Sequence, residues 1–257
     1  MNWTDDTILI TGGGTGIGAG LAAALHRAGN HVVIAGRRRE ALEAVASRYP
    51  GIAYLPLDQS DAGAVRAFAD EVVRRHPQLN VLVNNAGIMR TEDLRAPDPD
   101  VIAEVISTNL LGPLQLTAHL LPALRRRPSA AIVNVTSSLA FVPKAVLPTY
   151  SATKAAMHSY TESLRSQLRD SGIHVVEIPP PRVYTEADAA GGDAGVGVED
   201  FVRDVMWQLT SRPAPREVVV DAASLLRYAE RRGDYREVYA TVNDEEMDDE
   251  MKEVQWS

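Results

Sequence analysis

TILITGGGTGIG, residues 7–18, is the stretch on which the fold turns. Its first five residues are a β-branched run, the middle is dominated by glycine, and apolar residues at helical spacing follow until Gly29-Asn30. A short strand that passes through glycines straight into a helix is the opening βα unit of a parallel sheet. Glycines permit a tight turn and a close backbone approach to phosphate, and a helix N-terminus offers unpaired N–H groups and a partial positive charge to an anion. Gly12, Gly14, Thr15, Gly16, Ile17 and Gly18 are therefore candidates for holding a dinucleotide. The strict G-x-G-x-x-G spacing is not met; only the relaxed Gly14-x-Gly16-x-x-Ala19 fits, and such a loop also occurs as a plain tight turn.

The pattern repeats outward from this unit. HVVIA (31–35), IAYLPL (52–57), NVLVN (80–84), AIVNVT (131–136) and IHVVEI (173–178) read as strands. Residues 38–48, 61–75 and 149–170 read as helices, and 100–126 as one long helix with a kink at Gly112-Pro113. The strands are continuous apolar runs, as expected where both faces of a sheet are covered. The expectation is an α/β fold: a doubly wound parallel sheet with helices on both faces, in a single domain. Residues 179–200 are rich in Pro, Gly and Ala and read as a mobile loop, followed by a helix (199–211) and a strand, EVVV (217–220). Ligands of such sheets sit at the carboxyl ends of the strands, so this loop is placed either to cover a substrate or simply to cross the surface.

Composition narrows the function. The 257 residues contain no cysteine, which excludes disulfides, a thiolate nucleophile and Cys-ligated metal sites. A net charge of −8 argues against sequence-independent binding to nucleic acid. Residues 244–253 (DEEMDDEMKE) hold most of that charge and read as a solvated acidic tail, although Met247, Met251, Val254 and Trp256 also allow a docked segment. The start, MNWTDD, has no basic and apolar leader pattern, and the longest apolar run, Ile17 to Leu25, is far too short for a membrane span. A cytoplasmic protein, without membrane or nucleic-acid partners, is expected. The six histidines lack metal-ligand spacing, no G-x-S-x-G elbow is present, and the sequon Asn134-Val-Thr136 falls on a predicted central strand, where it is read as chance.

The second strand ends at Gly36-Arg37-Arg38-Arg39, where an NAD-binding fold commonly carries an acid for the ribose hydroxyls. An arginine fork grips a 2′-phosphate instead, so NADP(H) is inferred over NAD, with Arg37 as main contact and Arg38 as second; Arg39 reads as the start of a solvent-facing helix. Asp58 is placed to accept from an adenine amino group, and Asn85-Ala86-Gly87 to let backbone approach the ribose, though each is also a common turn residue.

Tyr150 and Lys154 lie at i, i+4 on a predicted helix and so share a face. A neighbouring ammonium stabilises a phenolate and lowers its pKa, which would make Tyr150 a usable general acid–base. Ser137 lies at the end of the fifth strand, and Asn109 in the long helix near the kink, where an amide can hold water against exposed backbone. Alone, each is commonplace: a surface pair, a cap, a bend.

Together, TGGGTGIG, NNAG, Asn109, Ser137 and Tyr150-Ser-Ala-Thr-Lys154 resemble the classical short-chain dehydrogenases/reductases over about residues 5–220. YPGIAYLPLD, LNVLVNNAGI, TNLLGPLQLT and IVNVTSSLAFVP look most like the DltE-like branch. The resemblance implies a Rossmann-type sheet, a nicotinamide cofactor, a small-molecule carbonyl or alcohol substrate, and a homodimer or homotetramer. It implies that Tyr150 exchanges the proton, Lys154 lowers its pKa and binds the nicotinamide ribose, Ser137 bonds the carbonyl oxygen, and Asn109 holds a water. Val183 and Thr185 stand where the family contacts the carboxamide, although Pro181 replaces the family's glycine. On this reading residues 1–222 are the catalytic domain, with a substrate loop at 180–200, and 223–257 a C-terminal extension matching no family tail. An NADP-binding regulatory protein without turnover is the alternative; such relatives typically lose the Tyr or Lys that this chain keeps. An epimerase or dehydratase is disfavoured by the spacing Gly12-x-x-x-Gly16-x-Gly18 and the lack of a large second domain.

Overall fold

The computed structural model describes residues 3–184, 195–212 and 215–243. Six strands, β1 (Thr7–Thr11), β2 (His31–Gly36), β3 (Ala53–Pro56), β4 (Val81–Asn84), β5 (Ala130–Val135) and β6 (Ile173–Ile178), form one sheet in the order β3-β2-β1-β4-β5-β6. Every pair is parallel. The strand order reverses between β1 and β4, which opens a crevice at their carboxyl ends.

Helices cover both faces. Ile8, Ile10 and Val83 pack with Leu21 and Leu25 of α1 (Gly16–Arg27), Leu42 of α2 (Arg39–Arg48) and Phe201 and Val205 of α7 (Val198–Ser211). Leu9, Leu82 and Ile132 face the other way, toward α3 (Ala62–Arg75), α5 (Gly112–Leu124) and α6 (Pro148–Gln167). The side chains of the central strands β1, β4 and β5 are therefore buried whichever way they point, so the runs are continuously apolar, and each buried Leu or Ile contributes about 1.5–3 kcal/mol. Asn134 is fully buried and donates to Thr161 Oγ1 at 2.8 Å, which removes it as a glycan acceptor. Among the described residues no helix is long and apolar enough to cross a membrane.

Two elements differ from expectation. The long helix is irregular at Ser107–Leu111, a π turn between α4 (Pro99–Ile106) and α5, one step before the expected kink. Gly112 N–H bonds back to Ser107 O, and Pro113 has no N–H to offer the next carbonyl; the buried amide of Gln59 donates to Thr108 O instead, at 2.7 Å. Gly112 makes room for that loop, since a Cβ there would come within 2.2 Å of Gln59 O. The second difference is EVVV (217–220), which makes one bridge, Glu217 to Glu177, rather than a strand. Glu177 N–H donates to Arg216 O and Val218 N–H to Glu177 O. The next donor in that parallel ladder would be residue 179, a proline, and the Val219 carbonyl is taken by the Gln208 amide at 2.8 Å.

Beyond β6, β7 (Val183–Tyr184) and β8 (Val196–Gly197) pair in parallel. The expected mobile loop between them, with Thr185, and the acidic tail at 244–257 lie outside the described residues. The chain ends, as described, in α8 (Asp221–Arg227), α9 (Ala229–Arg232) and a helical stretch at 235–243.

Candidate active site

The glycine loop is shaped by close approaches. Gly12 and Gly16 have φ of +67° and +54°, the left-handed region where a side chain is strained. A Cβ on Gly18 would come within 2.3 Å of Gly12 O and 2.5 Å of Asn85 Nδ2. The Asn85 amide donates to Thr11 O at 2.9 Å, while the Asn85 and Ala86 N–H groups donate to Thr11 Oγ1. These bonds hold the ends of β1 and β4 together beneath the loop.

Above it lies a cavity of about 490 Å³ at the carboxyl edge of the sheet. Gly12, Gly14, Thr15, Gly16, Ile17 and Gly18 line one wall; Arg37, Arg38 and Asp58 line the far end; Asn85, Ala86, Gly87 and Val183 line the rest. Its chemistry fits a phosphorylated nucleotide. Space beyond Gly16 is open, since a Cβ there would meet nothing within 4 Å. The N-terminus of α1 has neither a side-chain cap nor an acid in its first turn, so its N–H groups and dipole face the cavity uncompensated. Gln59 Oε1 and Thr108 Oγ1 are buried, line the cavity and lack a protein partner. These two were missed from sequence; an amide directly after Asp58 was the available signal for the first.

At the far end, Arg38 Nη2 donates to Thr15 Oγ1 at 3.2 Å. Arg37 stands 3.7 Å from the Glu104 carboxylate, which Arg90 also holds through two nitrogens at 3.1 and 3.2 Å. Arg39 pairs with Glu43 on the outside of α2. Asp58 accepts from the Ser60 hydroxyl and N–H, and these bonds, with Arg37 nearby, hold its carboxyl below the usual range.

The second cluster adjoins this cavity. Ser137 ends β5 and caps the next turn by accepting from Leu139 N–H at 3.1 Å. Tyr150 and Lys154 lie on α6, and the Ser137 hydroxyl is close enough to the Tyr150 hydroxyl to lower its pKa. Lys154, 5% exposed, has its Nζ 5.6 Å from the Tyr150 ring centre. Asn109 lies buried in the π turn; Ile88 N–H donates to its Oδ1, and its Nδ2 donates to Ile88 O, both at 2.8 Å. Gly87 joins the two regions: it lines the cavity, and a Cβ on it would stand 3.3 Å from Asn109 Oδ1 and 3.6 Å from Lys154 Nζ.

Burial bears on the expected proton chemistry of this cluster. Burial raises the Tyr150 pKa, and the neighbouring Ser137 hydroxyl works against that rise. Lys154 donates to Val135 O at 2.9 Å, and burial lowers its own pKa to about 8. Both groups are desolvated, and desolvation disfavours each charged form. The Asn109 amide also fixes the Ile88 backbone through both its oxygen and its nitrogen.

Comparison with known proteins bears on this geometry. The family model described as short chain dehydrogenase matches residues 6–194. The chain is 37% identical over 254 residues to the uncharacterized oxidoreductase DltE of Bacillus subtilis (strain 168), covering 96% of this chain and all of that one. A short chain dehydrogenase from Burkholderia cenocepacia J2315, solved in complex with NADP, superposes with a TM-score of 0.79 at 26% identity, covering 94% of this chain and 99% of that one. A short-chain dehydrogenase from Streptomyces avermitilis, at 24% identity and a TM-score of 0.81 over 98% of this chain and 100% of that one, shares the fold.

Proposed function

The chain belongs to the short-chain dehydrogenase family, with a DltE-like sequence, and from that premise we propose that it is an NADP(H)-dependent oxidoreductase interconverting a carbonyl and a secondary alcohol on a small molecule. The observation that carries this reading is Gly87, whose backbone faces a nucleotide-sized cavity on one side and Asn109 and Lys154 on the other. The NADP bound by the Burkholderia relative supports the choice of cofactor, as do Arg37 and Arg38 at the end of the cavity.

The α1 N-terminus and the loop from Gly12 to Gly18 hold the pyrophosphate. Arg37 and Arg38 take the 2′-phosphate, Asp58 the adenine amino group, Asn85 to Gly87 the ribose, and Val183 with Thr185 the carboxamide. When bound, the nicotinamide supplies or takes the hydride. The chain's own residues manage the proton. The Tyr150 hydroxyl donates to the developing alkoxide during reduction and accepts the proton during oxidation. Ser137 bonds the same oxygen and orients it. Lys154 lies on the next turn of α6 and stabilises the phenolate once a ligand draws it from Val135. Asn109 fixes Ile88, and with it the backbone beside Gly87.

On this reading residues 1–222 are the catalytic domain and 223–257 a C-terminal extension; most of the expected substrate loop lies outside the described residues. Ile106, just before the π turn, and Leu111, its last residue, are both exposed and support self-association along the long helix; light scattering of the purified protein checks for a dimer or tetramer. The enzyme reading is tested by NADPH oxidation over a panel of ketones, aldehydes and quinones. Turnover with at least one carbonyl is expected, and NADPH binding with no turnover across the panel would instead favour a binding protein.

A further inference from the structure

We propose that residues 221–243 act as a clamp on the loop that runs from Ser137 to Tyr150, with Asn243 as its positioning residue. The catalytic consequence rests on the function proposed above; the clamp itself does not. Asn243 is 4% exposed, and among the described residues its side chain bonds to three backbone groups. Its Oδ1 accepts from Ala145 N–H at 2.5 Å, and its Nδ2 donates to Pro143 O at 3.2 Å and to Tyr239 O at 2.8 Å. One amide thus brackets Lys144 from both sides and supplies partners for half-buried backbone groups that no strand or helix satisfies.

Two other contacts draw the same loop onto the same segment. Val142 is fully buried in a small cluster with Ala229 and Val238. The Arg227 guanidinium lies 4.3 Å over the Phe141 ring and is itself held by Glu217. On its opposite side the loop is tied to the segment after β4: Glu92 N–H donates to Val146 O, and Thr149 donates to the Glu92 carboxylate through both N–H and Oγ1. The loop is gripped from two directions, and its ends are the two residues that must meet on one substrate oxygen. Displacing such groups by an ångström costs up to about a hundredfold in rate.

The test compares the unaltered chain with Asn243→Ala, Asn243→Asp and, as a control on the exposed side of α9, Arg231→Met. Hydrogen exchange is followed with NADPH present, and kcat and KM are measured with 9,10-phenanthrenequinone. Asn243→Ala should speed exchange at 139–147 by about tenfold or more while leaving residues 12–18 and the NADPH Kd unchanged, and should lower kcat/KM by about tenfold. Asn243→Asp, which keeps the acceptor for Ala145 but loses both donors, should behave like the alanine variant, and Arg231→Met like the unaltered chain. Unchanged exchange at 139–147 or an equal rise at 12–18 would overturn the clamp, and faster exchange with unaltered kcat/KM would overturn its catalytic consequence. If the unaltered chain does not reduce this quinone, kcat/KM is measured with whichever carbonyl of the panel it does reduce; if it reduces none, the enzyme reading fails and the exchange pattern alone decides the clamp.

Discussion

Lys154 donates to the Val135 carbonyl at 2.9 Å, the last residue of the strand that delivers Ser137, and is held there in an interior that disfavours its charge. The amine is therefore a source of instability. With a pKa near 8 when folded and 10.5 ordinarily, it binds fewer protons folded than unfolded between those values, so its penalty is full below about pH 8 and fades as pH rises toward 10.5. Lys154→Met should stabilise the cofactor-free protein at pH 7 by about 1–3 kcal/mol, with a smaller gain at pH 9.5, while removing activity. Denaturant unfolding at the two pH values checks this; a destabilised variant would show that the Val135 bond outweighs desolvation.

Arg37 faces the cavity with the Glu104 carboxylate as its competing partner. Arg37→Ala should weaken NADPH binding by about 10–100-fold and leave NADH binding nearly unchanged. Glu104→Gln should act in the opposite sense, tightening NADPH binding by releasing Arg37. Titrating both cofactors against both variants decides it, and an unaltered NADPH preference in Arg37→Ala would remove that residue from cofactor recognition.

Gly18 has no room for a methyl group between Gly12 O and the Asn85 amide. Gly18→Ala should cost about 1–3 kcal/mol of stability through overpacking and should abolish cofactor binding before it abolishes folding. Gly16→Ala is strained by its positive φ alone and should be the milder change. Thermal unfolding with and without NADPH separates the two; equal cofactor-induced shifts in both variants and the unaltered chain would contradict the loop's role.

The sheet was legible because a strand buried on both faces writes itself as an unbroken apolar run, and Ile8, Leu9 and Ile10 do so within three residues. Asn109, Ser137, Tyr150 and Lys154 could be read as a set only through the family resemblance of their joint order, since the Tyr-x-x-x-Lys spacing alone is a common surface pair. What escaped depended on distant partners. The π turn follows from Gln59 reaching Thr108, and EVVV fails as a strand because a proline stands opposite on β6's continuation. The direction of Lys154 was equally hidden: helical spacing puts it on the same face as Tyr150 but does not say that its amine will donate to Val135 O.

The proton role of Tyr150 is the centre of the account. The most direct measurement is Tyr150→Phe, followed by NADPH fluorescence for binding and by single-turnover NADPH oxidation with whichever carbonyl the unaltered chain reduces. The prediction is an unchanged Kd for NADPH with a rate at least about a thousandfold lower. A phenylalanine variant that still turns over near the original rate would assign the proton to another group.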